Sequence, residues 1–165
     1  MSAGGDLGAR YGEVRARLES LLDGETDWVA ALSTVACELH RTFDHYAWTG
    51  FYRVVAPELL VVGPYQGTHG CLRIPFSRGV CGAAARTRTT QRVDRVADRA
   101  DHIACSASTQ SELVVPVIAP DGRLLAVLDV DSDQAAAFDD VDQRALEEIC
   151  RDLAARFPRG ATPAG

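Results

Sequence analysis

The sequence predicts a single α+β domain, with a mainly antiparallel sheet and terminal helices packed on one face of it. Two segments with apolar residues at helical spacing open the chain, and a third such segment closes it. Between them lie two pairs of strand-like segments, each pair joined by a short turn, which is typical of hairpins. A chain of 165 residues is long enough to bury one substantial core.

The helices are predicted from the spacing of apolar residues and from residues that begin or end a helix. The first covers residues 11–22 and would end at Asp23-Gly24. The second would be capped by Thr26 or Asp27 and continue past residue 39, because apolar residues recur on one face. Asp139 can cap the last helix. That helix has apolar residues on one face: Val141, Ala145, Ile149, Cys150 and Leu153.

The strands follow from β-branched and aromatic runs between turn residues. Residues 46–55 and 59–62 form the first predicted hairpin, and the segment 63–67 breaks the pattern. Residues 72–75 and 90–93 are predicted as short strands, with a short helix over 80–86 between them. Residues 112–118 and 123–131 form the second hairpin, since Ala119-Pro120-Asp121-Gly122 is a strong turn sequence. We expect a domain over residues 11–157, with disordered ends at 1–10 and 158–165.

Charge and composition narrow the classes of function. The formal net charge of −6 disfavours binding to nucleic acid, and the apolar runs are too short to span a membrane. The first residues show no signal-peptide pattern, so we expect a cytoplasmic protein. Five cysteines, an odd number, argue against a closed framework of structural disulfides.

Three cysteines, Cys71, Cys81 and Cys105, lie beside Gly, Arg or His in turn-rich segments rather than in apolar runs. Cysteines placed in this way suit thiol–disulfide chemistry better than packing. Cys81 would open a short helix, where we expect the helix N-terminus to lower its pKa; a buried packing residue at the helix start is the alternative interpretation. Cys105 lies in a long polar segment, residues 94–111, three residues after His102; segments of that length are usually functional or disordered.

Three acidic residues end up close together if the second hairpin pairs simply. Asp129 and Asp131 alternate with Val130 and therefore share one face of a strand. Glu112 begins the preceding strand and would lie near Asp131. Clustered carboxylates raise one another's pKa, so one of them could stay protonated near neutral pH. A solvated strand end is the alternative interpretation.

No metal or cofactor is predicted. The cysteines are separated by 10 and then 24 residues and include no C-x-x-C pair, which does not fit a compact zinc site.

Several strings resemble the free methionine-(R)-sulfoxide reductases, which are single-domain enzymes with a GAF fold. The resemblance runs from about Trp48 to the last helix. The strings are Trp48-Thr49-Gly50-Phe51-Tyr52, Leu60-Val61-Val62-Gly63-Pro64-Tyr65-Gln66-Gly67, Arg73-Ile74-Pro75-Phe76, Arg78-Gly79-Val80-Cys81-Gly82, His102-Ile103-Ala104-Cys105, Ser111-Glu112-Leu113-Val114-Val115-Pro116 and Leu128-Asp129-Val130-Asp131-Ser132.

The resemblance implies a role for each matching residue. Cys105 would be the nucleophile, Cys71 the resolving cysteine and Cys81 a further redox-active thiol. Acidic groups lining the substrate pocket would be Glu112, Asp129 and Asp131. Trp48 and Tyr52 would flank the methyl-thioether end of the substrate, although ordinary core packing is the alternative for both.

The implied reaction is reduction of free L-methionine-(R)-sulfoxide to methionine. It would proceed through a cysteine sulfenic acid and an intramolecular disulfide, which thioredoxin would reduce. Two alternatives are a GAF-type small-molecule sensor and a thiol-based oxidant sensor, neither of which would turn over a sulfoxide. The apolar stripes of the first and last helices also suggest a homodimer.

Overall fold

The structure, a computed structural model, describes residues 3–101 and 106–160. The described residues form four α-helices and six β-strands. The helices are α1 (Ala3–Leu21), α2 (Trp28–Thr42), α3 (Gly79–Thr87) and α4 (Asp140–Arg156). The strands are β1 (Trp48–Ala56), β2 (Leu59–Gln66), β3 (Arg73–Pro75), β4 (Gln91–Val93), β5 (Ser111–Ile118) and β6 (Leu124–Ser132). A short 3₁₀ turn covers Val96–Asp98.

The six strands form one antiparallel sheet in the order β3-β2-β1-β6-β5-β4. The predicted hairpins, β1–β2 and β5–β6, are both present, and they join through the pairing of β1 with β6 at the centre of the sheet. The predicted α+β class is therefore confirmed. Among the described residues, no helix has the length and apolarity needed to cross a bilayer.

Helices α1, α2 and α4 cover one face of the sheet and enclose the larger core. Leu32 and Leu39 of α2 and Leu146 of α4 are fully buried there, against β-strand residues such as Leu128. This arrangement confirms the prediction that the terminal helices pack on one face.

The opposite face of the sheet carries a second, smaller core, which the sequence did not lead us to expect. Val80 and Ala84 of α3 pack there against Tyr52, Val114 and Val127. The domain therefore has three layers: helices α1, α2 and α4, the sheet, and helix α3. A helix of nine residues can cover this face because its side chains are small, so its backbone lies close to the sheet.

Helix α1 begins at Ala3, whereas disorder was predicted for residues 1–10. The extension is anchored by tertiary contacts that helical spacing alone does not reveal. Leu7 packs against the larger core, and the Arg10 guanidinium donates a hydrogen bond to the Thr42 carbonyl oxygen. The predicted caps are confirmed for α2, at Asp27, and for α4, where Asp139 forms a capping box.

Strand β2 continues to Gln66, through the segment that was predicted to break it. Pro64 is tolerated because the β1–β2 register shifts between Gly50 and Tyr52, opposite this segment. Irregularities of this kind are where a sheet accommodates proline.

Candidate active site

A pocket opens on the α3 side of the sheet, where β1, β5 and β6 meet the start of α3 and the segment before β3. Two of its walls, one acidic and one aromatic, carry side chains that the sequence had indicated. Its lining comprises Trp48, Tyr52, His69, Gly70, Ile74, Gly79, Val80, Cys81, Ser106, Thr109, Glu112, Asp129 and Asp131.

The acidic wall is built by strand register. Glu112 of β5 pairs with Asp131 of β6, as predicted, and Asp129 lies two residues earlier on the same face of β6. Glu112 and Asp129 are buried, with 6% and 5% of their surface exposed, while Asp131 is half-buried. The interpretation as a solvated strand end is therefore wrong for Glu112 and Asp129.

Burial is the main cause of the electrostatics of this wall. It raises the pKa of Asp129 from 3.8 to about 6, against the lowering effect of hydrogen bonds with Cys81 and Glu112. Burial, together with repulsion from Asp129 and Asp131, raises the pKa of Glu112 well above its usual range. The pKa of Asp131 is also raised well above its usual range, by burial and by Asp129. Burial thus raises the pKa of all three carboxyls, so the wall carries less negative charge near neutral pH than three solvated carboxyls would.

Cys81 lies in the first turn of α3, with 3% of its surface exposed. Its thiol donates to Glu112 Oε1 over 4.0 Å between sulfur and oxygen. The predicted lowering of its pKa is wrong. Burial raises the pKa of Cys81 well above its usual range, and the nearby carboxyls raise it further, which outweighs the helix N-terminus.

The position of Cys81 depends on its neighbour Gly82. A Cβ at residue 82 would lie 2.8 Å from each of the carbonyl oxygens of Pro75 and Phe76. The absence of a side chain therefore lets α3 approach the end of β3 closely, which brings Cys81 beside Glu112.

The aromatic wall consists of stacked rings. Trp48 stacks on Tyr52, with ring centroids 5.7 Å apart, and on Tyr65, with centroids 5.3 Å apart. The Trp48 indole donates a 2.9 Å hydrogen bond to the Thr68 carbonyl oxygen, and this bond holds the ring in its orientation. A Cβ at Gly70 would come within 2.9 Å of the Tyr52 hydroxyl, so this glycine lets the chain close over the rings. Trp48 and Tyr52 therefore both pack in the second core and line the pocket.

Of the three cysteines in turn-rich segments, the structure describes two, Cys71 and Cys81. Cys81 lines the pocket. Cys71 is half-buried, packs against the second core and is not a free thiol. Cys105, like His102, lies outside the described residues.

Sequence reasoning overlooked several residues of the lining. Ser106 and Thr109 bring hydroxyl groups to the pocket from the segment just before β5. Gly79 and Val80 bring the start of α3, and Gly79 has a positive φ of 69°. Ser106 could have been identified from the sequence because it directly follows Cys105. Nothing in the sequence distinguishes Thr109 from other loop threonines.

Comparison with known proteins agrees with this architecture. The family model for the GAF domain matches residues 25–156. A free methionine-R-sulfoxide reductase of Saccharomyces cerevisiae is 41% identical over 139 residues, which is 81% of this chain and 77% of the relative. The Escherichia coli protein of the same name is 35% identical, over 87% of this chain and 86% of the relative.

A solved structure gives the same result. The free methionine-R-sulfoxide reductase of Neisseria meningitidis, in complex with its substrate, superposes with a TM-score of 0.87 and 45% identity. The match covers 92% of this chain and 90% of that one.

Fold and pocket together define a GAF-domain protein whose small-molecule pocket is walled by buried acids and stacked aromatic rings. Within that class, the chain belongs to the free methionine-(R)-sulfoxide reductase family.

Proposed function

We propose that this protein reduces free L-methionine-(R)-sulfoxide to L-methionine. The observation that carries the proposal is the pocket itself. It combines a thiol, three acids and an aromatic wall in a chain of the reductase family. A sulfoxide is reduced when a thiolate attacks its sulfur while its oxygen receives a proton, so both a thiol and a proton donor are needed.

Cys105 is the proposed nucleophile, and it directly precedes the pocket residue Ser106 in the chain. Its thiol takes the sulfoxide oxygen, which releases the thioether and leaves Cys105 as a sulfenic acid. The Cys71 thiol then condenses with the sulfenic acid to give a disulfide and water. A dithiol protein such as thioredoxin supplies two electrons and two protons and restores both thiols. A cytoplasmic setting, in which thiols are kept reduced, fits this cycle.

The acids divide into two proposed roles. Glu112 is the proton donor to the sulfoxide oxygen, because burial and two neighbouring carboxyls raise its pKa well above the usual range. Asp129 is the partner for the substrate ammonium, because its Oδ1 is buried without a hydrogen-bond partner among the described residues. Asp131 pairs with Glu112 in the sheet and lies two residues after Asp129 on β6, so it is placed to support both groups.

This arrangement explains a preference for the free amino acid. A methionine sulfoxide within a peptide has no α-ammonium, so the Asp129 carboxylate would be buried without a counter-charge. An uncompensated buried charge costs on the order of 3–5 kcal/mol, which would disfavour peptide substrates strongly. Trp48 and Tyr52 offer ring surfaces to the methyl-thioether end, where sulfur–aromatic contacts are favourable.

The test is product analysis with separated R and S sulfoxides, each supplied as the free amino acid and within a peptide, using dithiothreitol as reductant. We expect turnover of the free R form alone. Cys105→Ser should abolish turnover, whereas Cys37→Ser, which changes an exposed cysteine of α2, should leave it unchanged. Stoichiometric binding of methionine sulfoxide without turnover would instead support a sensor, and equal rates with peptides would refute the ammonium role of Asp129.

The electron donor and the assembly state are further parts of the proposal. Replacing dithiothreitol with thioredoxin and its reductase should sustain turnover. The apolar stripes that suggested a homodimer are buried in the larger core, as at Val14 and Ile149, so they do not support it. A monomer in sedimentation at micromolar concentration would refute the homodimer.

A further inference from the structure

Three potential metal ligands meet at the floor of the pocket. Cys81 Sγ and one carboxylate oxygen each of Glu112 and Asp129 all lie within 4.8 Å of one another. All three residues are buried, with at most 6% of their surface exposed. The group is one thiol and two carboxyls, which the spacing of the cysteines in the sequence could not indicate.

Asp129 Oδ1 supplies an independent observation. This oxygen is fully buried and has no hydrogen-bond partner among the described residues. An acceptor in that state favours a cation, because leaving a buried charged oxygen unpaired costs free energy. The pocket lined by these residues has a volume of about 30 Å³, which is room for one ion of the size of a water molecule.

We propose that these three side chains form a binding site for a thiophilic divalent cation, with Zn²⁺ as the physiological candidate. Sulfur with two carboxylates is a donor set that suits Zn²⁺ rather than Mg²⁺ or Ca²⁺, which bind through oxygen alone. Three protein ligands, with a water as the fourth, would match the open type of zinc site.

The distances fit if the ligand atoms, which lie within 4.8 Å of one another, approach by up to about 1.3 Å. Bonds of ~2.3 Å to sulfur and ~2.0–2.2 Å to oxygen place neighbouring ligand atoms of a tetrahedral site about 3.5 Å apart. The Cys81 sulfur is already 4.0 Å from Glu112 Oε1. On binding, the Cys81 thiol and a protonated Glu112 carboxyl each release a proton to solvent and coordinate as thiolate and carboxylate.

Metal binding would block the site proposed for the substrate ammonium, so the ion acts as an inhibitor competitive with the sulfoxide. That consequence rests on the proposed function, whereas the binding site itself does not. The experiment therefore measures binding without turnover.

The experiment uses the full chain with Cys71→Ser and Cys105→Ser, which removes the other two thiols of the turn-rich segments and also turnover. Under a non-thiol reductant, Cd²⁺ titration is followed by the ultraviolet thiolate-to-metal charge-transfer band. Zn²⁺ affinity is measured by competition with a chromophoric chelator. We expect one ion per chain and a band of one thiolate.

Variants in this background locate the site. Cys81→Ser should abolish the band and weaken Zn²⁺ by more than the ~10–100-fold typical of losing an outer-shell partner. Asp129→Asn, which keeps the thiol and the side-chain volume, should weaken Zn²⁺ strongly while a folded spectrum is retained. Cys37→Ser, at an exposed position on α2, should change neither measurement.

Persistence of the band in Cys81→Ser, its loss in Cys37→Ser, unchanged Zn²⁺ affinity in Asp129→Asn, or no binding at all would each overturn the proposal. Since the background lacks the proposed nucleophile, none of these results bears on whether the native chain reduces methionine sulfoxide. Conversely, a native chain without sulfoxide turnover would leave the binding result unaffected.

Discussion

Asp129→Asn should make the protein more stable at neutral and alkaline pH, although it removes a residue proposed to bind substrate. Asp129 has 5% of its surface exposed, and its Oδ1 has no hydrogen-bond partner among the described residues. Asparagine keeps the side-chain volume and one carbonyl oxygen but carries no charge. The change therefore removes the cost of burying the ionised form.

The size of the effect follows from the pKa of Asp129, which is about 6 instead of 3.8. Between these values the folded chain retains a proton that the unfolded chain has lost, so the free energy of unfolding falls as pH rises. At ~1.4 kcal/mol per pKa unit, the difference between the two pKa values lowers the free energy of unfolding by about 3 kcal/mol at pH 7. This is an upper limit for the gain in Asp129→Asn, because a neutral amide accepts the hydrogen bonds from Cys81 and Glu112 more weakly than the carboxylate does.

The measurement is urea unfolding of native and variant chains from about pH 4 to about pH 8, with a metal chelator and a reductant present. The variant should be more stable than the native chain by up to about 3 kcal/mol at pH 8 and nearly equal to it at pH 4. Asp133→Asn, the same change at an exposed residue just beyond β6, is the matched control and should have little effect at either pH. Parallel pH profiles for native chain and Asp129→Asn would refute the reasoning.

Two further predictions concern packing and helix capping. Gly82→Ala would place a Cβ 2.8 Å from two backbone oxygens and should cost about 1–3 kcal/mol and most turnover, whereas Gly12→Ala, with nothing within 4 Å of its Cβ, should stabilise α1 by up to about 1 kcal/mol. A Gly82→Ala variant of native stability, measured by thermal unfolding, would contradict this. Asp142→Ala should cost about 2–4 kcal/mol in urea unfolding, because it removes the α4 capping box and the acceptor 2.7 Å from the Tyr11 hydroxyl. Asp140→Ala, at an exposed position of the same helix turn, should cost at most about 1 kcal/mol, and equal losses for the two would count against the buried network.

Short-range patterns were sufficient to predict most of the sheet and one wall of the site. The alternation of Asp129 and Asp131 fixed their common face, and the turn after β5 fixed the register that places Glu112 beside Asp131. The caps Asp27 and Asp139 were also readable, because capping is a local interaction between a side chain and the next turn of backbone.

The features that the sequence did not reveal depend on contacts between distant segments. The third layer arises because α3, whose buried residues are mostly alanine, glycine and one valine, packs flat on the sheet, a property that no periodicity distinguishes from a surface helix. The anchoring of residues 3–10 depends on the Arg10 contact with the carbonyl of Thr42, 32 residues away. The raised pKa of Cys81 likewise depends on burial between α3 and the sheet, and then on carboxyls brought in from β5 and β6.

The raised pKa of Asp129 follows from its position on a strand inside the sheet. Asp129 lies on β6, which pairs with β1 on one side and β5 on the other, so its backbone is held by two neighbouring strands. A carboxyl on a strand edge could move out to water and recover its usual pKa, whereas one at the centre of the sheet cannot do so without breaking ladders on both sides. The rigidity of the sheet therefore keeps the acids close together and desolvated. Burial of the ionised Asp129 is expected to lower the stability of the protein when no substrate is bound, and it is also the proposed source of affinity for an ammonium group. A variant that removes the charge should therefore gain stability as it loses substrate binding.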